Sequence, residues 1–174
     1  MEFYLTYQGE LKANRGPSDK QTIRRAFHPQ LRELSRHRPY PGTPKCLKRC
    51  GGFEFAPIIN TSIGIGAEIS IVMLRPEAPG RLVMQGGDID NKLKTLLDAF
   101  SVPQVNQVPA KDCPTTDEQP LFCLLEDDSL ITSLEIKTGR LLRPSRTPAD
   151  VSLLIHVTTR SLHTNHFMQI IHQY

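Results

Sequence analysis

Eleven residues, Asp88-Ile89-Asp90-Asn91-Lys92-Leu93-Lys94-Thr95-Leu96-Leu97-Asp98, place three carboxylates and two lysines where an extended segment gives way to a helical pattern. A second acidic pair, Asp127-Asp128, opens a later apolar run. Carboxylates gathered this densely repel one another unless a divalent cation or charged hydrogen bonds lie between them. Asp88 and Asp90 are two apart, so on an extended chain both leave from one face. Asp90, Lys94 and Asp98 recur every four residues and stack along one helical stripe. Gly86 and Gly87 permit unusual backbone angles just ahead. Hard oxygen donors with open positions suit Mg²⁺, with Mn²⁺ as an alternative. Such ions activate water and stabilise a leaving oxygen in phosphodiester hydrolysis. Lys94 would offset charge at the phosphorus. Each part also has an ordinary role: Asp90 or Asn91 as a helix cap, Lys94 and Asp98 as a surface pair, Asp127-Asp128 as a turn. Together those roles need several separate coincidences.

Asp88-Ile89-Asp90-Asn91 with Lys94 and Asp98, followed by Leu125-Glu126-Asp127-Asp128-Ser129-Leu130-Ile131, resembles the pattern of the RusA family of Holliday-junction resolvases. The resemblance is specific over 87–100 and 125–137. It implies a small α/β (α+β) domain, homodimeric and Mg²⁺-dependent, that cuts branched DNA in recombination and repair in bacteria and their phages. Carried over by position, Asp88, Asp90 and Asp128 would bind metal and Lys94 would be the catalytic lysine, with Asp127 and Asp98 in support and Asp127 a further candidate ligand. Two features depart from the family pattern: a long connection between Phe100 and Asp127, and an N-terminal region through Gly52 with no counterpart. The rival readings are a catalytically inactive DNA-binding accessory protein of the same fold, or a metal-dependent nuclease with a different nucleic-acid specificity.

The elements that must position these groups are read from periodicity. Phe3–Tyr7 predicts an opening strand, with a turn near Asn14-Arg15-Gly16-Pro17. Ser18 with Gln21 resembles a capping box, and Ile23, Phe27, Leu31 and Leu34 recur at helical spacing, with a break or kink expected at Pro29 near His28. Phe53-Glu54-Phe55 opens another strand. Ala67–Leu74 alternates most clearly, Ile69 and Ile71 on one face, Val72 and Leu74 on the other. Arg81–Met84 follows a turn. A helix is expected over Asn91–Phe100, with Leu93, Leu96, Leu97 and Phe100 on its apolar face. Residues 101–126, with four prolines, read as a long loop insertion. Leu130–Ile136 and Val151–Val157 read as strands. The whole, 1–174, is expected to be one domain with a mixed sheet and packed helices.

Composition bounds the rest. The 174 residues are 39% hydrophobic and 22% charged, ordinary for a globular domain large enough for its own core. No apolar run reaches the roughly 18 residues of a membrane span, and Met1–Tyr4 carries no leader pattern, so a cytoplasmic protein without membrane partners is expected. The net charge is only +3, yet eight cations lie between Arg24 and Arg49 against the single acid Glu33. A basic segment over about 1–52, with Arg24, Arg25, Arg32 and Arg36 mostly off the apolar stripe, is expected to face water or a polyanion. Lys92, Lys137 and Arg140 are further candidates for DNA phosphates. The four cysteines lack zinc-hairpin spacing and are expected to be free thiols. His163 and His166 have no carboxylate placed to complete a metal site, and His28 beside Pro29 is expected at a helix end. No Gly-rich loop with a following Lys-Ser/Thr supports an NTPase, and Gly64-Ile65-Gly66 precedes a strand, so it is not a dinucleotide fingerprint.

Overall fold

In a computed structural model that describes residues 1–13, 15–37, 46–76 and 89–162, alternating apolar residues build strands around two amphipathic helices. The elements are β1 (Glu2–Glu10), α1 (Pro17–His37), β2 (Lys48–Cys50), β3 (Phe53–Ile59), β4 (Ile65–Arg75), α2 (Ile89–Phe100), β5 (Leu121–Leu125), β6 (Ile131–Arg140) and β7 (Asp150–Ser161). Four strands form one sheet in the order β1-β7-β4-β6, with β7 antiparallel to both neighbours and β6 parallel to β4. A smaller sheet runs β2-β3-β5, with β2 antiparallel and β5 parallel to β3. Both sheets are mixed, and the architecture is a single α+β domain.

The alternation predicted for β4 sets the larger core. Ile69, Ile71 and Met73 are buried and lie opposite Val157, Ile155 and Leu153 of β7, while Val72 and Leu74 are half-buried on the other face. Ile23, Phe27 and Leu31 of α1 and Leu96, Ala99 and Phe100 of α2 complete this core. Phe27 meets Phe100 edge-on, with ring centroids 5.2 Å apart. Burying each large apolar side chain contributes roughly 1.5–3 kcal/mol before chain entropy is counted.

Several local expectations are corrected. The helix starts at Pro17, the favoured first position, and Lys20 N–H bonds the Gly16 carbonyl at 3.3 Å. Gln21 is buried and accepts from Arg24, so it completes no capping box with Ser18. Pro29 does not end the helix, which continues to His37. At the next residue the packing is tight: Gln30 donates to the Thr6 carbonyl at 2.8 Å and accepts from the Thr6 N–H at 2.9 Å. A side-chain amide thereby occupies backbone groups on the outer edge of β1, where a further strand would otherwise pair.

The stretch read as a loop over 101–126 contains β5, together with short 3₁₀ turns at Val105–Gln107 and Thr116–Glu118. The β2–β3 hairpin turns on Gly51 and Gly52, both at positive φ (56° and 83°), as a type I′ turn requires. Cys46, Cys50 and Cys123 are buried thiols and Cys113 is exposed. Arg81–Met84, His163, His166 and the C-terminal tail lie outside the described residues.

His28 sits in mid-helix and ties α1 to this connection. Its Nδ1 accepts from Phe122 N–H at 2.9 Å, and its Nε2 lies 3.0 Å from the Asp117 carbonyl. A backbone N–H only donates and a carbonyl only accepts, so the ring is neutral with its proton on Nε2. Burial holds the imidazole below its ordinary value, against smaller opposing contributions from the Asp117 carbonyl and Glu118. The unfolded chain therefore takes up a proton first as pH falls below about 6.5. Stability contributed by this residue is complete above that pH and declines from there toward the lower folded-state pKa. In denaturant titrations between pH 7.5 and 5.5, the native midpoint should fall more than that of His28→Leu. Parallel curves for the two proteins would remove the assignment.

Candidate metal and nucleic-acid site

The acidic motif is divided by the start of α2. Asp88, Gly86 and Gly87 lie outside the described residues. Asp90 is in the first turn and exposed, as is Lys94 one turn on. The helix forms here because Leu96 and Phe100 are buried and Leu93 and Leu97 pack against the same core, which leaves the Asp90–Lys94–Asp98 stripe on a flank. Asp98 is the structural member of that stripe. Its carboxylate takes Lys20 of α1 at 2.6 Å, both side chains being largely buried. That bond fastens the two helices, so Asp98 is not merely the surface partner of Lys94.

The second acidic pair follows β5. Asp127 is the extended residue that caps a single 3₁₀ turn over Asp128–Leu130, and its side chain accepts from Ser129 N–H at 3.0 Å. The Ser129 hydrogen bonds hold the Asp127 carboxyl below its ordinary value. Asp128 is exposed at the head of the turn, and Leu130, 5% exposed, anchors it in the core. The pair thus precedes a turn, and β6 begins only at Ile131. The turn packs against α2 and β4, so the two halves of the acidic pattern lie on adjoining elements.

Glu126, which sequence reasoning passed over, is the residue that fixes this corner. Its N–H bonds the Ile59 carbonyl at 2.8 Å, and its carboxylate takes Thr61 N–H and Thr61 Oγ1, both at 2.8 Å, and Lys48 at 2.7 Å. Burial raises its pKa, but the Lys48 and Thr61 contacts outweigh burial and hold it below the usual value. The only local hint was its place directly after five apolar residues.

Among the described residues, Asp90 and Asp128 have carboxylates engaged by neither a hydrogen bond nor an ion pair, whereas Asp98 and one oxygen of Asp127 are already used. Asp90 and Asp128 are therefore oxygen donors of the kind Mg²⁺ takes. Among the described residues no three His, Cys, Asp or Glu side chains come together as a metal site. The third carboxylate of the expected set, Asp88, is outside those residues.

The arginines expected to face a polyanion are largely used within the fold. Arg24 is 1% exposed, donates to Gln21 and to the carbonyls of Asp98 (3.0 Å) and Ser101 (3.2 Å), and lies over the Phe55 ring. It is a core residue that satisfies the C-terminal carbonyls of α2, where positive charge is favoured. Arg25 holds Glu118 through two nitrogens (2.7 and 3.1 Å) and Asp112 at 2.9 Å, pinning the 101–120 connection to α1. Arg32 pairs with Asp117 and Arg36 with Glu33. Lys92 is buried at 3% exposure, Lys137 pairs with Glu135, and Arg140 is exposed at the end of β6.

Other cations gather where β1 ends and α1 and α2 begin. Lys12 and Arg15 line a cleft of about 350 Å³ with Lys92 and the 147–149 turn. Arg143 is near enough for its charge to help lower the Asp150 pKa, after the backbone hydrogen bonds from Arg146 and Thr147. Spread over three separate segments, these residues form no run that composition would reveal. No family model, curated protein or solved structure matches the chain.

Proposed function

We propose that the protein is a Mg²⁺-dependent endodeoxyribonuclease, with Mn²⁺ as a substitute, that hydrolyses phosphodiester bonds in branched DNA. In this reading it resembles the RusA family of Holliday-junction resolvases in fold and site, acts as a cytoplasmic homodimer, and serves recombination and repair, in a phage or its host. The observation that supports it most is the contact between α2, which carries Asp90 and Lys94, and the turn headed by Asp128. Asp88, Asp90 and Asp128 would hold the ion, which supplies positive charge beside the scissile phosphate and activates water. Asp127 and Ser129 keep the turn in one conformation, and Asp98 and Lys20 keep the helix in place. Lys94 projects from α2 with its ammonium available to a phosphoryl oxygen.

The test is incubation of the native chain with a labelled four-way junction, a linear duplex of the same sequence and a single strand, each with Mg²⁺ or with EDTA. Cutting confined to the junction, and abolished by EDTA, is the expected result. Equal cutting of the duplex would make it a general nuclease, and binding without cutting would leave an accessory DNA-binding protein.

A further inference from the structure

We infer that the cleft bounded by the end of β1, the 147–149 turn and the first turns of α2 is a phosphate subsite, which seats a backbone phosphate of the bound strand beside the Asp90 site. The inference rests on the nucleic-acid reading above for its ligand, but on its own geometry for its chemistry. The cleft holds about 350 Å³ and is lined by Lys12, Arg15, Lys92, Glu10, Thr147 and Ala149 among others. Lys92 lies two residues beyond Asp90 on α2, so whatever occupies the cleft sits next to the first turn of that helix.

Its charge favours an anion. Lys12, Arg15 and Lys92 line the cleft with the acid Glu10, which pairs with Lys12 and accepts from the Thr147 hydroxyl at 2.9 Å. Two further acids flank it: Asp150, 3.3 Å from the Thr147 hydroxyl and engaged by the Arg146 N–H, and Asp19, which lines the adjoining cleft on the α1 side that shares Lys12 and Arg15. Arg15 is exposed at the mouth, where its charge is open to a ligand, whereas Lys92 is buried at 3% and already has a partner of its own. The walls are also fixed before any ligand arrives. Leu11 N–H bonds the Ala149 carbonyl at 2.9 Å, and Asp150 accepts from Arg146 N–H at 2.6 Å while its own N–H bonds the Thr147 carbonyl at 3.1 Å. Donors held in place lose less freedom on binding, which is how a shallow site gains affinity for a phosphate oxygen.

The test is the salt dependence of binding of a labelled four-way junction, measured by anisotropy with Ca²⁺ in place of Mg²⁺, for native chain, Lys12→Gln, Arg15→Gln and Arg160→Gln. Each lost phosphate contact lowers the log–log slope by about 0.9. Lys12→Gln and Arg15→Gln should each show that loss. Arg160→Gln, which removes a pair with Glu68 at the far end of β7, should not. Arg15 is exposed, so its variant keeps the fold; near-native thermal melting confirms that the slope reports binding. Native binding with an unchanged slope for Arg15→Gln overturns the subsite and leaves the nuclease reading intact. If the native chain binds no nucleic acid, that reading falls, and a titration with inorganic phosphate followed by amide NMR decides the cleft. Shifts confined to residues 11–15, 92 and 147–150 uphold it as an anion site, and their absence overturns it.

Discussion

Asp90→Asn should lower Mg²⁺-dependent junction cleavage by more than about 100-fold, beyond the 10–100-fold typical for loss of a group that only supports a metal ligand. It should leave folding and junction binding almost untouched. The asparagine keeps the shape of the side chain and removes its charge, and the exposed position in the first turn of α2 involves no partner among the described residues. The remaining structural cost is the attraction between a carboxylate and the positive end of the helix, about 0.3–1 kcal/mol. A large fall in rate beside a small change in melting temperature therefore separates chemistry from stability. Single-turnover cleavage and thermal melting on the same preparations measure both. Retained cleavage in Asp90→Asn would remove Asp90 from the metal set, whatever the fate of the junction preference.

The largest expected effect on stability comes from Arg24→Met. A buried charge is often replaceable by a hydrophobic residue when its partner is replaced too. Arg24 differs, because its acceptors cannot be removed with it. The carbonyls of Asp98 and Ser101 and the Gln21 side chain would remain, with methionine offering no donor. Hydrogen bonds to charged groups contribute about 1.5–3 kcal/mol each, and the orphaned acceptors cost more when buried. A loss of roughly 3–5 kcal/mol follows, or a fall in melting temperature on the order of 10 °C for a domain of this size. Arg32→Met, at an exposed pair with Asp117, should cost within about 1 kcal/mol. Equal stability of the two variants would show that Arg24 is not what closes the end of α2.

Both cases show what the chain reveals locally and what it conceals. β4, α2 and β7 were legible because each has one buried face, which writes a period of two or 3.6 into the residues themselves. β5 was not. Leu121–Leu125 is apolar throughout, follows Pro120, and pairs in parallel with a strand whose matching residues are more than sixty positions earlier, such as Phe55 opposite Leu121. No neighbouring turn announces such a pairing. Arg24 sits beside the apolar stripe of α1, and its role depends on the end of another helix arriving there. The basic segment reads as a polyanion surface because its acidic partners, Asp112, Asp117 and Glu118, lie in the 101–126 connection, whose prolines and lack of period predict only a loop. Pro29 carried the signal for a break, yet packing of both halves of α1 on one core overrode it. Among the acidic residues, the division into uncommitted ones (Asp90, Asp128) and structural ones (Asp98, Asp127) needed the contacts.

The order of strands also governs how the chain acquires its fold during synthesis. β7 lies between β1 and β4, with Glu2 opposite Thr158 and Ile69 opposite Val157, although it is the last strand of the described chain to emerge. β4 and β6 can pair once residue 140 is made, and α1 can form early, but β1 has no strand to join until β7 appears. At the usual rate of about 5–20 residues per second, the nascent chain spends several seconds with β1 waiting and an apolar face of β4 uncovered. Closure is thus a late, long-range event, of the kind that slows folding and invites association between unfinished chains. A chain halted before residue 150 would have both helices, the β2-β3-β5 sheet and the β4–β6 pair, but a larger sheet without its central strand, not a smaller version of the domain.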